Sequence, residues 1–191
     1  MSGVRPANAE DATSIARVHV DTWRATYAGV VPDEYLVRMS LTRNAASWSN
    51  FLARPAGRNG VFVADHSPSG VVGFVSCGAA RAEGLPRNLA GVGEVYALYV
   101  WPDYQELGLG RELLAAAFDH LSSHGHDGAV IWVLEANPSR FFYEAMGGRR
   151  AAERMERFAG TDLAELAYAW EKLVLPARGV RADRSGDAMS R

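Results

Sequence analysis

Apolar and polar positions alternate along this chain in two rhythms, one of strands and one of helices. Residues 94–100 form a run of β-branched and aromatic side chains with no breaker inside, which predicts a buried strand. Residues 101–108 contain Pro102 and Asp103 and read as a turn. Beyond the turn, apolar residues fall at 109, 113, 114, 117, 118 and 121, the spacing of one helix face.

The flanking chain follows the same two rhythms. Residues 4–6 predict a short first strand, and Asn8 to Asp11 supply caps for a helix marked by Ile15, Val18, Thr22, Trp23 and Thr26 that ends near Gly29. Pro32 opens a second short helix reaching Met39. Thr42 caps a third helical segment with Trp48, Phe51 and Leu52 on its apolar side. Residues 61–64 and 71–77 predict two strands around a hairpin turn at 65–70. Residues 81–93, with three glycines and a proline, read as an exposed loop. A second buried strand follows at 129–135. Asn137 caps a short helix over 138–146 with Pro138 at its first position, and Gly147-Gly148 ends it. Two strands near 150–158 and 163–173 complete an α/β pattern.

The chain's 191 residues suit one domain, assigned to residues 1–175. From 176 to 191 the chain turns to Arg, Gly, Ser and Asp with few large apolars, which predicts a disordered tail. A net charge of −2 gives no reason to expect a nucleic acid or other polyanion partner. The single cysteine, Cys77, excludes an internal disulfide and fits a reducing compartment. The first residues have no apolar signal core, and no apolar run is long enough to span a membrane, so the expectation is a cytoplasmic protein without a membrane partner.

Chemistry concentrates in the turn after residue 100, which reads Gln105-x-x-Gly108-x-Gly110-Arg111. Glycines at a helix start let backbone N–H groups crowd round an anion, and the helix dipole favours negative charge there. Arg111 adds a cation. A nucleotide-binding Walker loop needs Gly-Lys-Ser/Thr, whereas Gly110 is followed by Arg111-Glu112. A dinucleotide fingerprint needs a small residue three positions after Gly110, where Leu113 stands. A nucleotide-binding protein using the same loop is the rival reading that these departures weigh against.

Position for position, Gln105, Gly108 and Gly110 resemble the Gln/Arg-x-x-Gly-x-Gly/Ala loop of the GNAT N-acetyltransferases. Phe142-Tyr143-Glu144-x-x-Gly147 is similar to that family's Phe-Tyr-Glu-x-x-Gly helix. Trp23-Arg24-x-x-Tyr27-x-Gly29-x-x-Pro32 and Glu165-x-x-Tyr168-x-Trp170 add weaker likenesses, so the resemblance covers about residues 4–173. It implies a mixed, strongly twisted sheet with helices on both faces. The activity it implies is acetyl transfer from acetyl-CoA to a primary amine, by direct attack and without a metal.

In that resemblance the backbone of Gln105, Glu106, Leu107, Gly108, Leu109, Gly110 and Arg111 grips the pyrophosphate. The backbone of Leu98, Tyr99 and Val100 pairs with the pantetheine arm, and Tyr143 gives a proton to the departing sulfur. Glu94 would deprotonate the amine through water; a solvent-exposed carboxylate at a strand end is the other reading. Asn137 stands six residues before Tyr143 where many members have seven, and is either a pantetheine contact or only a cap. Cys77 in an apolar strand reads as an inert thiol, and His120, His124 and His126 as residues of a helix end. Asp33 and Glu34, in the loop that forms one wall of the acceptor site, could attract a cationic amine. The partners implied are acetyl-CoA and an amine acceptor, with a homodimer left open. A non-catalytic acyl-CoA-binding module on the same fold is the alternative from another class.

Overall fold

A computed structural model describes residues 2–53, 57, 59–81, 85, 89, 91–158 and 160–177. The elements follow one another as β1 (Ser2–Pro6), a 3₁₀ turn (Ala9–Asp11), α1 (Ala12–Tyr27), α2 (Asp33–Arg38), α3 (Leu41–Leu52), β2 (Gly60–His66) and β3 (Gly70–Ala79). Then come β4 (Gly93–Val100), a 3₁₀ turn (Pro102–Tyr104), α4 (Leu109–Ser123), β5 (Ala129–Leu134), α5 (Arg140–Ala145), β6 (Arg149–Phe158) and β7 (Thr161–Trp170). The strands form one mixed sheet in the order β1-β2-β3-β4-β5-β7-β6. Only β4 and β5 run parallel; every other neighbouring pair is antiparallel.

Alternation along the strands sends side chains to two faces, and a helix covers each. On one face the predicted stripe of α4 is buried in full, and its Leu113, Leu114, Ala117 and Leu121 pack with Val72, Val75, Val95, Ile131 and Val133. On the other face Ile15 and Val18 of α1 pack with Val63 and Phe74. A third cluster joins Tyr27, Val31 and Leu36 to Leu134.

The N-terminal caps form as expected. Asn8 Oδ1 accepts from Glu10 N at 2.8 Å, and Asp11 Oδ2 accepts from Asn8 N at 2.8 Å. Two helix starts differ from expectation. Ser40, not Thr42, caps α3, because its Oγ lies outside the first turn and accepts from Arg43 N at 3.3 Å. The helix expected from Pro138 begins at Arg140, because the residues after Asn137 close i→i+3 bonds first: Arg140 N to Asn137 O and Phe141 N to Pro138 O, both 3.2 Å. Gly147, at φ 87°, ends α5 as predicted.

The stretch expected to be an exposed loop is exposed only in part. Leu89 is buried, and Arg81 folds onto β4; most of residues 82–90 lie outside the described residues. The tail expected from 176 likewise lies outside them from 178 onward. The last strand ends at Trp170 rather than 173. Beyond it Leu173 and Leu175 pack back on the core, and Pro176 reaches Gly147.

Leu114 is fully buried where α4 meets the sheet. Leu114→Ala should lower unfolding free energy by about 2–5 kcal/mol, the range for a large buried aliphatic truncated to a methyl. Val37→Ala, at a position 78% exposed, should change it by less than about 0.5 kcal/mol. Equilibrium urea unfolding of both variants measures the contrast.

Candidate active site

The site begins where two strands part company. β4 and β5 pair only at Gly93↔Ala129 and Glu94↔Val130. On its other side β4 stays paired with β3 as far as Val100↔Gly73. Cys77 faces Val95 and Ser76 faces Ala97, so Tyr96 is the extra residue of a β-bulge. Such a bulge bends its strand and increases local twist. The edge of β4 that faces β5 is therefore left without a strand partner over its C-terminal half. A cleft of about 970 Å³ opens there, at the upper end of the size range of small-molecule sites.

The turn after β4 supplies one end of that cleft. Gln105 Nε2 donates to Val100 O at 3.0 Å and folds the turn back on the strand. Glu106, at φ 61°, and Gly108, at φ 87°, both occupy the left-handed region. For Glu106 this costs about 1 kcal/mol, a strain seen where local geometry is tied to function. The loop they shape leads into α4. Among the described residues, no backbone N–H of positions 107–111 donates to a protein acceptor. These N–H groups at a helix N-terminus suit an anion.

The two glycines do different work. A Cβ on Gly108 would meet nothing within 4 Å, whereas one on Gly110 would come within 3.3 Å of the Phe142 ring. At Gly110 the missing side chain makes room for α5. Arg111 is held at the mouth of the cleft, where it donates to Pro176 O and lies 3.6 Å from Met146 Sδ.

Helix α5 divides its motif among three tasks. Phe142 packs on Gly110, Tyr143 is buried in the cleft wall, and Glu144 accepts the hydroxyl of Tyr168 at 2.7 Å. The Tyr143 ring is flanked by Phe142, Tyr168 and Trp170. Burial, and after it the neighbouring Tyr27, raises the pKa of the Tyr143 phenol well above the ordinary tyrosine value. Asn137 uses both ends of its amide: Nδ2 donates to Tyr27 Oη at 2.7 Å and Oδ1 accepts from Ser139 N at 2.8 Å. It caps the turn before α5 and ties that turn to α1.

Glu94 overturns its solvent-exposed reading. It is 1% exposed, and its carboxylate takes the Arg81 guanidinium, with Nε at 2.9 Å, together with the Arg81 backbone N–H at 2.8 Å. Arg81 also stacks on Tyr96. Asp33 and Glu34 are exposed on α2 and outside the lining of the cleft, so the expectation that they attract an amine is not met by their placement. Burial pushes the Cys77 thiol up to about 12, which suits a packing role.

Sequence reasoning missed much of the opposite end of the cleft. There Arg154 lies 4.2 Å over the Trp132 ring and binds Glu165 at 2.8 Å. Trp23 stacks on Phe158 beside them. Arg154 and Glu165 are direct cross-strand partners on β6 and β7. Opposite charges facing each other in two adjacent strands were the available signal.

Known proteins agree with this architecture. The family model described as the acetyltransferase (GNAT) domain matches residues 57–147. An N-acetyltransferase of Bacillus subtilis is 38% identical over 173 residues, covering 91% of this chain and 95% of that one. A solved structure from Desulfovibrio desulfuricans, described as a GNAT-family acetyltransferase, has a TM-score of 0.66 at 20% identity and covers 91% of this chain and 100% of its own. An acetyltransferase from Salmonella typhimurium, solved with acetyl-CoA, has a TM-score of 0.64 at 20% identity and covers 95% and 99%. At those two identities the likeness is one of fold. The Bacillus relative, matched over nearly its whole length, carries the family: the chain belongs to the GNAT acetyltransferases.

Proposed function

We propose that this protein moves an acetyl group from acetyl-CoA to a primary amine by direct transfer within one ternary complex. The observation that supports it most is the parting of β4 from β5 directly beside a loop of unpartnered N–H groups. The residues fit the cosubstrate in three respects. Positions 107–111 offer backbone N–H groups and the Arg111 cation to a pyrophosphate. The free edge of β4 at Leu98, Tyr99 and Val100 can pair with an extended amide-bearing arm as an added strand does. The cleft is large enough for both. Acetyl-CoA supplies the activated acyl group as a thioester.

Tyr143 holds a proton in the wall of the cleft. Its raised pKa keeps that proton in place through neutral and alkaline pH, ready for the sulfur as the C–S bond breaks. The amine nitrogen bonds to the acyl carbon and sheds a proton. Glu94 accepts three N–H groups of Arg81 in all, two at Oε1 and one at Oε2, so Oε2 keeps lone-pair capacity. It serves as the negative end of a water path for the amine's proton. The commitment of Glu94 to Arg81 is also what favours the second reading, a non-catalytic acyl-CoA-binding module. CoA release over a panel of amines separates the two.

Gly108→Asp should abolish CoA binding measured by isothermal titration. It puts a side chain at φ 87° and a negative charge among the N–H groups. Unchanged affinity in a folded variant would remove the cradle from the mechanism.

Tyr143→Phe keeps the ring and removes the proton, so turnover should fall by about 10²-fold or more with CoA affinity little changed. The pKa of Tyr143 is raised, so its proton is lost only above the ordinary tyrosine range. Wild-type turnover should therefore show no alkaline decline from this group up to about pH 10. Glu94→Gln should depress turnover most at low pH, where the amine is protonated, and less as pH approaches the amine's pKa. Turnover–pH profiles of both variants on one accepted amine test these roles; a Glu94→Gln profile parallel to wild type would leave Glu94 a structural partner of Arg81.

A further inference from the structure

Glu165 lines the end of the cleft away from the anion loop. Its register partners are Leu134 on β5 and Arg154 on β6, so the three side chains share one face of the sheet. That is the face covered by the end of α1 and by α2, where Leu134 packs with Tyr27 and Leu36. The charge of Glu165 acts on the Tyr27 phenol and on Arg81, which line the same cleft.

The carboxylate is only half used. Arg154 Nε and Nη2 both lie 2.8 Å from Oε2. Among the described residues nothing donates to Oε1, and that atom is not sealed in: the Glu165 side chain is 17% exposed. Arg154 is itself held in place over the Trp132 ring. A carboxylate fixed on one side, with its other oxygen open to a cleft, has capacity for a cationic donor.

Charge and shape narrow the ligand. Among the described residues the charged side chains lining this end are Glu94, Glu156 and Glu165 against Arg81 and Arg154, which leaves one negative charge in excess. That excess favours a cation and opposes an anion. Trp23 and Phe158, stacked with ring centroids 5.4 Å apart, also line this end and offer an apolar wall. We propose that Glu165 Oε1 receives the ammonium group of the acceptor as it docks, with the acceptor's apolar body against Trp23 and Phe158. The assignment rests on the transferase reading above. It makes Glu165 an acceptor-binding residue with no part in holding CoA.

The test uses the full chain loaded with CoA and titrates three probes that share a phenyl body: phenethylamine, 2-phenylethanol and phenylacetate. At neutral pH these are a cation, a neutral molecule and an anion. Phenethylamine should bind about tenfold or more tighter than 2-phenylethanol, the scale of one charge-assisted hydrogen bond, and phenylacetate should bind weakest. Glu165→Gln should weaken phenethylamine about tenfold or more, with 2-phenylethanol and CoA each within about twofold of wild type. Arg154→Gln should bind phenethylamine at least as tightly as wild type, because both oxygens of Glu165 then stand free. If Glu165→Gln does not fold, the double variant Glu165→Met, Arg154→Met removes both charges together and should show the same loss. No preference for phenethylamine over 2-phenylethanol, unchanged phenethylamine affinity in the Glu165 variant, or an equal loss in Glu165→Gln and Arg154→Gln overturns the assignment and leaves the transferase reading intact. Phenethylamine binding that depends on Glu165, with no CoA released from acetyl-CoA in its presence, overturns the transferase reading and keeps the ammonium site.

Discussion

Two parallel strands that hydrogen-bond at only two registers set the terms for everything else in this molecule. A parallel pair normally continues as a buried ladder, because unpaired backbone groups inside a fold are expensive. Here the ladder stops after Glu94 and Val130, and the bulge at Tyr96 bends β4 along its remaining partner β3. The strand keeps one full ladder and surrenders the other. Its free edge is followed by a 3₁₀ turn whose own groups are bonded, and beyond that turn lie the unpartnered N–H groups at the helix start.

Charge is distributed round that edge with little left unpaired. Glu94 faces Arg81 and Glu165 faces Arg154, each pair partly or wholly withdrawn from solvent. Removing Arg81 would leave the buried Glu94 charge without its partner, whereas Arg81 itself is largely solvated. The aromatic residues on the same side, Trp23, Tyr35 and Phe158, are packed edge and face on each other. This end of the cleft is therefore shaped by rigid rings and locked ion pairs rather than by flexible loops.

Much of the fold was legible because the periodicities were clean. The stripe of α4 and the run of β4 were both visible, and their boundaries moved by two residues or fewer. The loop glycines were legible for the same reason, being local in sequence. The partnerships of Glu94 and Asn137 were not, since Arg81 lies 13 residues from the first and Tyr27 110 residues from the second. A strand-end carboxylate reads as solvated until the fold brings a guanidinium to it. The start of α5 was misplaced because Pro138 satisfies a helix and a 3₁₀ turn equally well, and only the bonds actually closed distinguish them.

The contact between Gly110 and Phe142 joins two parts of the cleft that the sequence keeps 32 residues apart. Because the ring next to Tyr143 rests against the backbone of the anion loop, α5 cannot advance towards that loop without collision. The separation between the start of α4 and Tyr143 is therefore set in part by the thickness of an aromatic ring. Among related chains, a bulkier residue at the position of Gly110 should therefore be found with a smaller one at the position of Phe142, so that the two drift together through evolution as a single spacer.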